Sequence, residues 1–156
     1  MKKSASLKFA GLALLGSFAL AACNQANLTG TAKTYAFAAQ TQVGYTAQAA
    51  TATRADLSSK DTSTVLAATG LKPATAYVAH YHIQGDATKS PCASSGAVVD
   101  GMIGGMMFTS DASGNLTIKG LNTTSALANA KYINIHEAAA LAIVPLCADL
   151  TLAPTK

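Results

Sequence analysis

The stretch Thr75-Ala-Tyr-Val-Ala-His-Tyr-His-Ile-Gln84 decides more of the fold than any other part of the chain. It reads as a β-strand, in which successive side chains point to opposite faces. One face is apolar and aromatic and makes the better core face: Tyr77, Ala79, Tyr81 and Ile83. We therefore expect His80 and His82 to project together from the other face, about 7 Å apart along the strand.

A second strand-like run, residues 132–136, contains the third and last histidine of the chain, His136. The same alternation turns its two isoleucines inward and leaves Asn134 and His136 on the non-core face. If the two strands are neighbours, three imidazoles converge, and imidazole suits copper and zinc. The pattern therefore indicates a metal site at His80, His82 and His136. The alternative is that these are exposed histidines that hold no ligand.

The remainder of the chain also reads as β-structure, because threonine and valine are plentiful and turn-forming residues separate several short runs. The predicted strands are residues 35–43, 46–54, 63–68, 75–84, 106–109, 116–120, 132–136 and 148–152. Eight short strands in one domain predict an all-β fold, either a sandwich or a flattened barrel. A helical turn is expected within residues 126–131, and residues 121–129 are predicted to form a loop.

The N-terminal segment has the composition of an export signal. It has a basic start at Lys2, Lys3 and Lys8, followed by an apolar run that is too short to span a membrane as a helix. The run ends in Leu20-Ala-Ala-Cys23, which resembles a bacterial lipobox. We therefore expect a lipoprotein signal peptide at 1–22, lipidation of Cys23, a tether at 23–32 and a β domain at 33–156. An ordinary signal peptide that happens to precede a cysteine is the alternative.

This organisation predicts a lipid-anchored protein of the bacterial cell envelope, facing the periplasm or the cell surface. The segment carries three of the eleven basic residues and none of the seven acidic ones, so the chain beyond it has a formal charge of +1. A nucleic-acid partner is therefore not expected, because no basic cluster remains.

The cysteine count is odd, which calls for an explanation in an exported protein. If Cys23 receives the lipid, Cys92 and Cys147 are left to pair in an oxidising compartment. Two free thiols or two thiolate metal ligands are the alternatives.

Several segments together resemble the Cu/Zn superoxide dismutase family, in order and approximate spacing, over residues 66–152. The segments are Gly70-Leu-Lys-Pro73, His80-Tyr-His82, Gly85-Asp86, Cys92, Ser110-Asp-Ala-Ser-Gly-Asn-Leu-Thr117, Ile133-Asn-Ile-His-Glu137 and Leu146-Cys147. The resemblance implies an eight-stranded Greek-key β-barrel and an intramolecular disulfide between Cys92 and Cys147. It also implies a copper ion on the outer face, bound by His80, His82 and His136.

The chain also departs from the family pattern. No histidine occurs between Cys92 and His136, so the bridging and zinc-binding histidines are missing and zinc is not expected. Val144 occupies the position of the arginine that guides superoxide in the family, and the segment before Cys147 is short. The expectation is an open, copper-only site.

Three methionines lie where the family has its bridging histidine, and they are candidates for a fourth ligand: Met102, Met106 and Met107. Thioether sulfur is soft and favours Cu(I). The alternative is that these side chains fill gaps in the core.

The resemblance implies a copper-dependent enzyme that dismutes superoxide to oxygen and hydrogen peroxide, with the three histidines as its catalytic residues. The first alternative is a lipoprotein that binds or buffers copper ions without significant dismutase activity. The second is a metal-free interaction module. The expected partners are superoxide or copper ions, and a membrane through the lipid on Cys23.

Overall fold

The computed structural model describes residues 28–155, and this part of the chain is all-β, as predicted. It has ten strands and two short 3₁₀ helices, Pro91–Ala93 and Ala126–Asn129. The strands are β1 (Lys33–Ala36), β2 (Ala38–Ala39), β3 (Ala49–Asp56), β4 (Asp61–Thr69), β5 (Ala76–His82), β6 (Val98–Met102), β7 (Phe108–Thr109), β8 (Leu116–Thr123), β9 (Tyr132–Glu137) and β10 (Leu146–Asp149). None of the described helices is long and apolar enough to cross a membrane.

The strands form two antiparallel sheets. One sheet has the order β1-β3-β4-β8, and the other has the order β2-β10-β9-β5-β6, with β7 paired to the start of β5. Strand pairing within residues 28–155 does not join the sheets into a closed barrel, so the architecture is that of a β-sandwich. The eight-stranded barrel implied by the family resemblance is therefore not the fold of the described residues.

The core lies between the two sheets, and tyrosines supply much of it. Tyr77 and Tyr81 of β5 are completely buried, as are Ala79 of the same strand and the two isoleucines of β9. The predicted inward faces of both histidine strands are thus confirmed. The Tyr81 hydroxyl lies 2.6 Å from the hydroxyl of Thr64 on β4. This bond crosses the sandwich and satisfies a polar group that would otherwise be costly to bury.

Two of the predicted strands differ from the observed ones in a way that affects the topology or a loop. The predicted strand 35–43 is divided at Phe37, because β1 pairs with β3 whereas β2 pairs with β10, in the other sheet. Residues 121–123, predicted as a loop, extend β8. The 3₁₀ helix Ala126–Asn129 confirms the expected helical turn.

The sequence prediction missed β6 altogether. This strand has a register shift against β5: His80 pairs with Met102, but Tyr81 pairs with Val99. The intervening Asp100 and Gly101 have φ values of 56° and 67°. Asp-Gly is typical of turns, which explains why the sequence alone gives no sign of a strand here. The Asp100 carboxylate accepts a hydrogen bond from the backbone N–H of Thr123, and this contact anchors the irregular segment to β8.

The predicted signal peptide at 1–22 and Cys23 lie outside the described residues. Leu28 forms a β-bridge with Leu57, and the backbone N–H of Thr29 donates to the carbonyl of Asp56. Contact with the sandwich therefore begins within the stretch predicted as the tether.

Cys92 and Cys147 form a disulfide, which excludes free thiols or metal ligands at these positions. The bond joins the first 3₁₀ helix to β10 and closes a loop across a sequence separation of 55. It thereby fastens the long β5–β6 connection onto the outer face of the larger sheet.

We expect the double substitution of Cys92 and Cys147 by alanine to lower the free energy of unfolding by about 4 kcal/mol, because the disulfide restricts the unfolded chain. Urea denaturation, in a Cys23→Ser background for both proteins, measures this difference. In that background the native protein should also lack reactive thiols. Equal stability of the two proteins would contradict the expectation.

Candidate metal centre

The structure brings together all three histidines of the predicted site. His80 and His82 are on β5 and His136 is on the neighbouring strand β9, where it pairs with Val78. One ring nitrogen from each histidine lies within 4.8 Å of those of the other two. Their ring centroids are 5.3–6.1 Å apart. Three nitrogen donors at this separation can hold one metal ion.

The histidines lie on the face opposite the core, as predicted, but this face is not open. His82 and His136 are only 6% and 8% exposed, and His80 is partly buried. The β5–β6 and β9–β10 connections cover them, because each contributes a backbone carbonyl that contacts one imidazole. The expectation of an open site is therefore wrong, and so is the alternative of exposed histidines for His82 and His136.

The two covering loops fix which ring nitrogens are free. His82 Nδ1 lies 2.9 Å from the carbonyl oxygen of Gly96, and His136 Nδ1 lies 2.6 Å from that of Leu141. A carbonyl only accepts, so each Nδ1 carries the proton and each Nε2 keeps its lone pair. Such outer contacts orient metal-binding histidines in known sites.

The nitrogens left without a partner are the ones that a metal would need. His80 Nδ1, His82 Nε2 and His136 Nε2 are buried and make no hydrogen bond. Buried polar atoms are rarely left unsatisfied, because each costs about 1–3 kcal/mol. A metal ion bound by these three nitrogens would satisfy all of them, so the described residues fit a metal.

The environment also keeps the imidazoles neutral. Burial, with a smaller contribution from His136 and then His82, lowers the pKa of His80 from 6.5 to about 4. Burial likewise lowers the pKa of His82 and of His136, against a partial opposing effect of their backbone hydrogen bonds. Neutral imidazole is the metal-binding form, so protons compete weakly with a metal here.

Tyr132 and Gly96 support the site, and sequence reasoning missed both. The Tyr132 ring stacks on His82, with centroids 4.7 Å apart and an interplanar angle of 6°. The Tyr132 hydroxyl accepts a hydrogen bond from the Gly96 N–H at 2.8 Å. A Cβ on Gly96 would collide with the carbonyl oxygen of Ile83. Alternation along β9 could have suggested Tyr132, which shares a face with His136, but nothing local marks Gly96.

The three candidate methionines are in different situations. Met102 pairs with His80 across β5 and β6, so both side chains emerge on the same face. Met106 and Met107 are 59% and 61% exposed and follow β6 in the connection to β7. Of the three, the register favours Met102 as an additional ligand, and its ligation stays a prediction.

Two acidic residues near the histidines in sequence serve other contacts. Glu137 binds the Lys72 ammonium and accepts a hydrogen bond from the Tyr45 hydroxyl at 2.6 Å, and both contacts lower the pKa of its carboxyl. The Asp86 carboxylate accepts hydrogen bonds from the N–H and hydroxyl of Thr88 within a turn. Neither carboxylate belongs to the metal-binding cluster.

No protein-family model and no curated protein matches this chain. The likeness to superoxide dismutases thus depends on the motifs quoted above, and the geometry of the histidines stands independently of it.

We expect acidification from pH 6.5 towards about 4 to destabilise the metal-free protein. The unfolded chain takes up protons on its histidines at their ordinary pKa, whereas the folded chain does so only at lower pH, so protons favour unfolding across this window. Thermal melting in the presence of a chelator should show that the melting temperature falls as the pH is lowered through this window. The melting temperature of His80→Gln should fall less than that of the wild type.

Three carboxyls also have lowered pKa values, from ordinary values of 3.8–4.5: those of Asp86, Asp111 and Glu137. They affect the pH dependence of stability only at the acid end of that window. A melting temperature that stays constant across the upper part of the window would contradict the assigned burial of the imidazoles.

Proposed function

We propose that the protein binds one copper ion through His80, His82 and His136 and uses it to dismute superoxide. Two observations carry this proposal: one ring nitrogen from each histidine lies within 4.8 Å of those of the other two, and each imidazole has a buried nitrogen without a hydrogen-bond partner. Two of the rings are fixed by backbone carbonyls, so the donors are preorganised before any metal arrives.

Copper is proposed over other metals for two reasons. Nitrogen sites bind Cu²⁺ more tightly than other divalent ions of the first transition row, and soft thioether favours Cu(I). The motif resemblance to superoxide dismutases points to the same metal. Within residues 28–155 the trio is the one cluster of three or more His, Cys, Asp or Glu side chains close enough to share an ion. We therefore propose a single metal per chain, without zinc.

When bound, copper would supply one-electron chemistry, alternately oxidising and reducing superoxide. The chain's own residues would hold the geometry: β5 and β9 fix the spacing of the rings, and Tyr132 shields one face of His82. A small anion would approach beside Val144, which lines a cavity of about 250 Å³ together with Tyr132 and Asn134. Protons for peroxide formation would come from solvent.

A copper-binding or copper-buffering role without significant dismutation is the second candidate. The burial of His82 and His136 favours this buffering role, because a covered site slows both the release of the ion and the access of a substrate. Met102 beside His80 also favours it, since a thioether would stabilise Cu(I). A metal-free interaction module is less well supported, because it leaves three buried nitrogens unsatisfied.

The bacterial cell envelope is the proposed location, with a lipid on Cys23 holding the domain at a membrane. The support for this is the N-terminal sequence, which ends in the lipobox-like Leu20-Ala-Ala-Cys23. An oxidising compartment also agrees with the disulfide between Cys92 and Cys147.

We expect metal analysis to find one copper and no stoichiometric zinc per chain. His80→Ala, His82→Ala and His136→Ala should each weaken copper binding by about 100-fold or more, beyond the loss typical of outer contacts. Competition with a chromophoric chelator measures the affinities. Asp86→Asn is the matched control, since it removes a carboxylate that is close to the histidines in sequence but outside the cluster. Tightly held zinc, or histidine variants that bind like the control, would contradict the proposal.

We expect the copper-loaded protein to dismute superoxide slowly and with little dependence on ionic strength, because the chain beyond residue 22 is nearly neutral. Val144→Arg should raise the rate on the order of a few-fold and make it fall with added salt. Val144→Gln, polar but uncharged, is the control, and pulse radiolysis measures both.

An unchanged rate in Val144→Arg would refute the assignment of position 144 to the anion's approach. A copper-loaded wild type no more active than free copper would favour the buffering role.

A further inference from the structure

A row of four paired residues crosses the outer face of the larger sheet. Cys147 of β10 pairs with Asn134 of β9, Asn134 pairs with His80 of β5, and His80 pairs with Met102 of β6. Paired residues of antiparallel strands share a face, with adjacent strands about 4.8 Å apart. Asn134 therefore lies directly beside His80, between the metal-binding cluster and the disulfide.

Asn134 also sits among the three histidines along the strands. It is two residues before His136 on β9, and its neighbour on the same face, Tyr132, pairs with His82. Among the described strand positions, Asn134 and Val78 are each paired with one histidine of the trio and flanked on their own face by a second, and of the two only Asn134 has a polar side chain. The Asn134 side chain is thus on the same face of the sheet as the three imidazoles, next to His80.

The Asn134 side chain is buried and incompletely satisfied. The residue is 8% exposed, and its Oδ1 is buried without a hydrogen-bond partner. Four unsatisfied buried atoms thus share this one face: the Oδ1 and the three imidazole nitrogens. A metal ion accounts for the nitrogens. The amide oxygen needs a donor of its own.

We propose that Asn134 Oδ1 accepts a hydrogen bond from a small ligand with an O–H group, such as water, that occupies the open position of the metal at the trio. This inference depends on the proposed metal binding. Three protein ligands leave such a position free in metal sites that take up small molecules. An amide oxygen only accepts, so it favours a ligand that carries a proton and disfavours a bare anion.

A cavity lies next to Asn134, although none of the three histidines lines it. Asn134 lines the cavity of about 250 Å³ that also involves Tyr132, Cys92 and Val144. A water molecule occupies about 30 Å³ in the liquid, so several fit. Asn134 thus borders this cavity and is paired with His80, and its proposed role is that of a positioning residue that selects which small ligand stays at the metal.

Azide tests this selection, because it binds Cu²⁺ as an anion and has no proton to donate to Oδ1. In Asn134→Leu the water loses its hydrogen bond and azide no longer faces an amide oxygen. We expect azide to bind about fivefold more tightly than in the wild type, the effect of losing one hydrogen bond. Titration followed by absorption and electron paramagnetic resonance of the copper-loaded protein gives the dissociation constant, independently of activity.

Asn122→Leu is the matched control. Asn122 is 4% exposed, its Oδ1 is equally buried and unpartnered, and it lies on β8 in the other sheet. Azide binding should be unchanged in this variant. Asn134→Val provides a second apolar replacement, of a residue type that strands accept well, in case the leucine does not fit.

Each outcome separates the two proposals. Wild-type protein that takes up no copper would overturn both the proposed function and this inference. If wild-type and variant proteins bind copper equally but azide affinity is unchanged or weaker in Asn134→Leu and Asn134→Val, only the inference fails. Loss of copper from both folded variants would mean that Asn134 holds the metal itself, which also contradicts the assigned role.

Discussion

The pairing of β5 with β9 is the constraint on which the site depends. Its register sets Val78 opposite His136, His80 opposite Asn134 and His82 opposite Tyr132. A slip of one residue would turn the histidines into the core and the core tyrosines outward. The same ladder that buries Tyr77 and Tyr81 on one side therefore assembles three imidazoles on the other. Folding and site formation have a single geometric cause.

The two faces of this ladder satisfy their polar groups differently. On the core side each buried hydroxyl of β5 has a partner: Tyr81 meets Thr64, and Tyr77 lies 2.8 Å from the Tyr45 hydroxyl. On the outer side two imidazoles are held by carbonyls through one nitrogen and left unsatisfied through the other. A stable fold ordinarily avoids such atoms. Their concentration on one face is the physical basis for assigning a function to it.

The sequence was sufficient where local alternation carries the information. The period of two around His80 and His136 predicted both strands, the inward side chains and the composition of the histidine cluster. The all-β class and the disulfide were also predictable, the latter from the cysteine count together with the family motifs. Apart from the disulfide pairing, these features need only the identity of residues and their spacing along a strand.

Features that depend on long-range contacts were not predictable. The division of the first strand at Phe37 arises because the chain leaves one sheet for the other, which no local pattern records. β6 contains an Asp-Gly pair that ordinarily signals a turn. The covered state of His82 and His136 comes from the loops that follow β5 and β9, which fold back so that the carbonyls of Gly96 and Leu141 contact the imidazoles. Residue alternation therefore gave the face of the histidines but not their exposure.

The contacts of Gly96 constrain how the loop that covers the histidines can change in evolution. Its N–H and its carbonyl both serve the site, through Tyr132 and His82, and its lack of a side chain lets it approach Ile83 closely. Any other residue there would push the loop away from the imidazole without altering a single ligand. In a lineage of such proteins, position 96 should therefore tolerate as little variation as the histidines themselves. A search for distant relatives is better served by a pattern that includes this glycine than by the histidines alone.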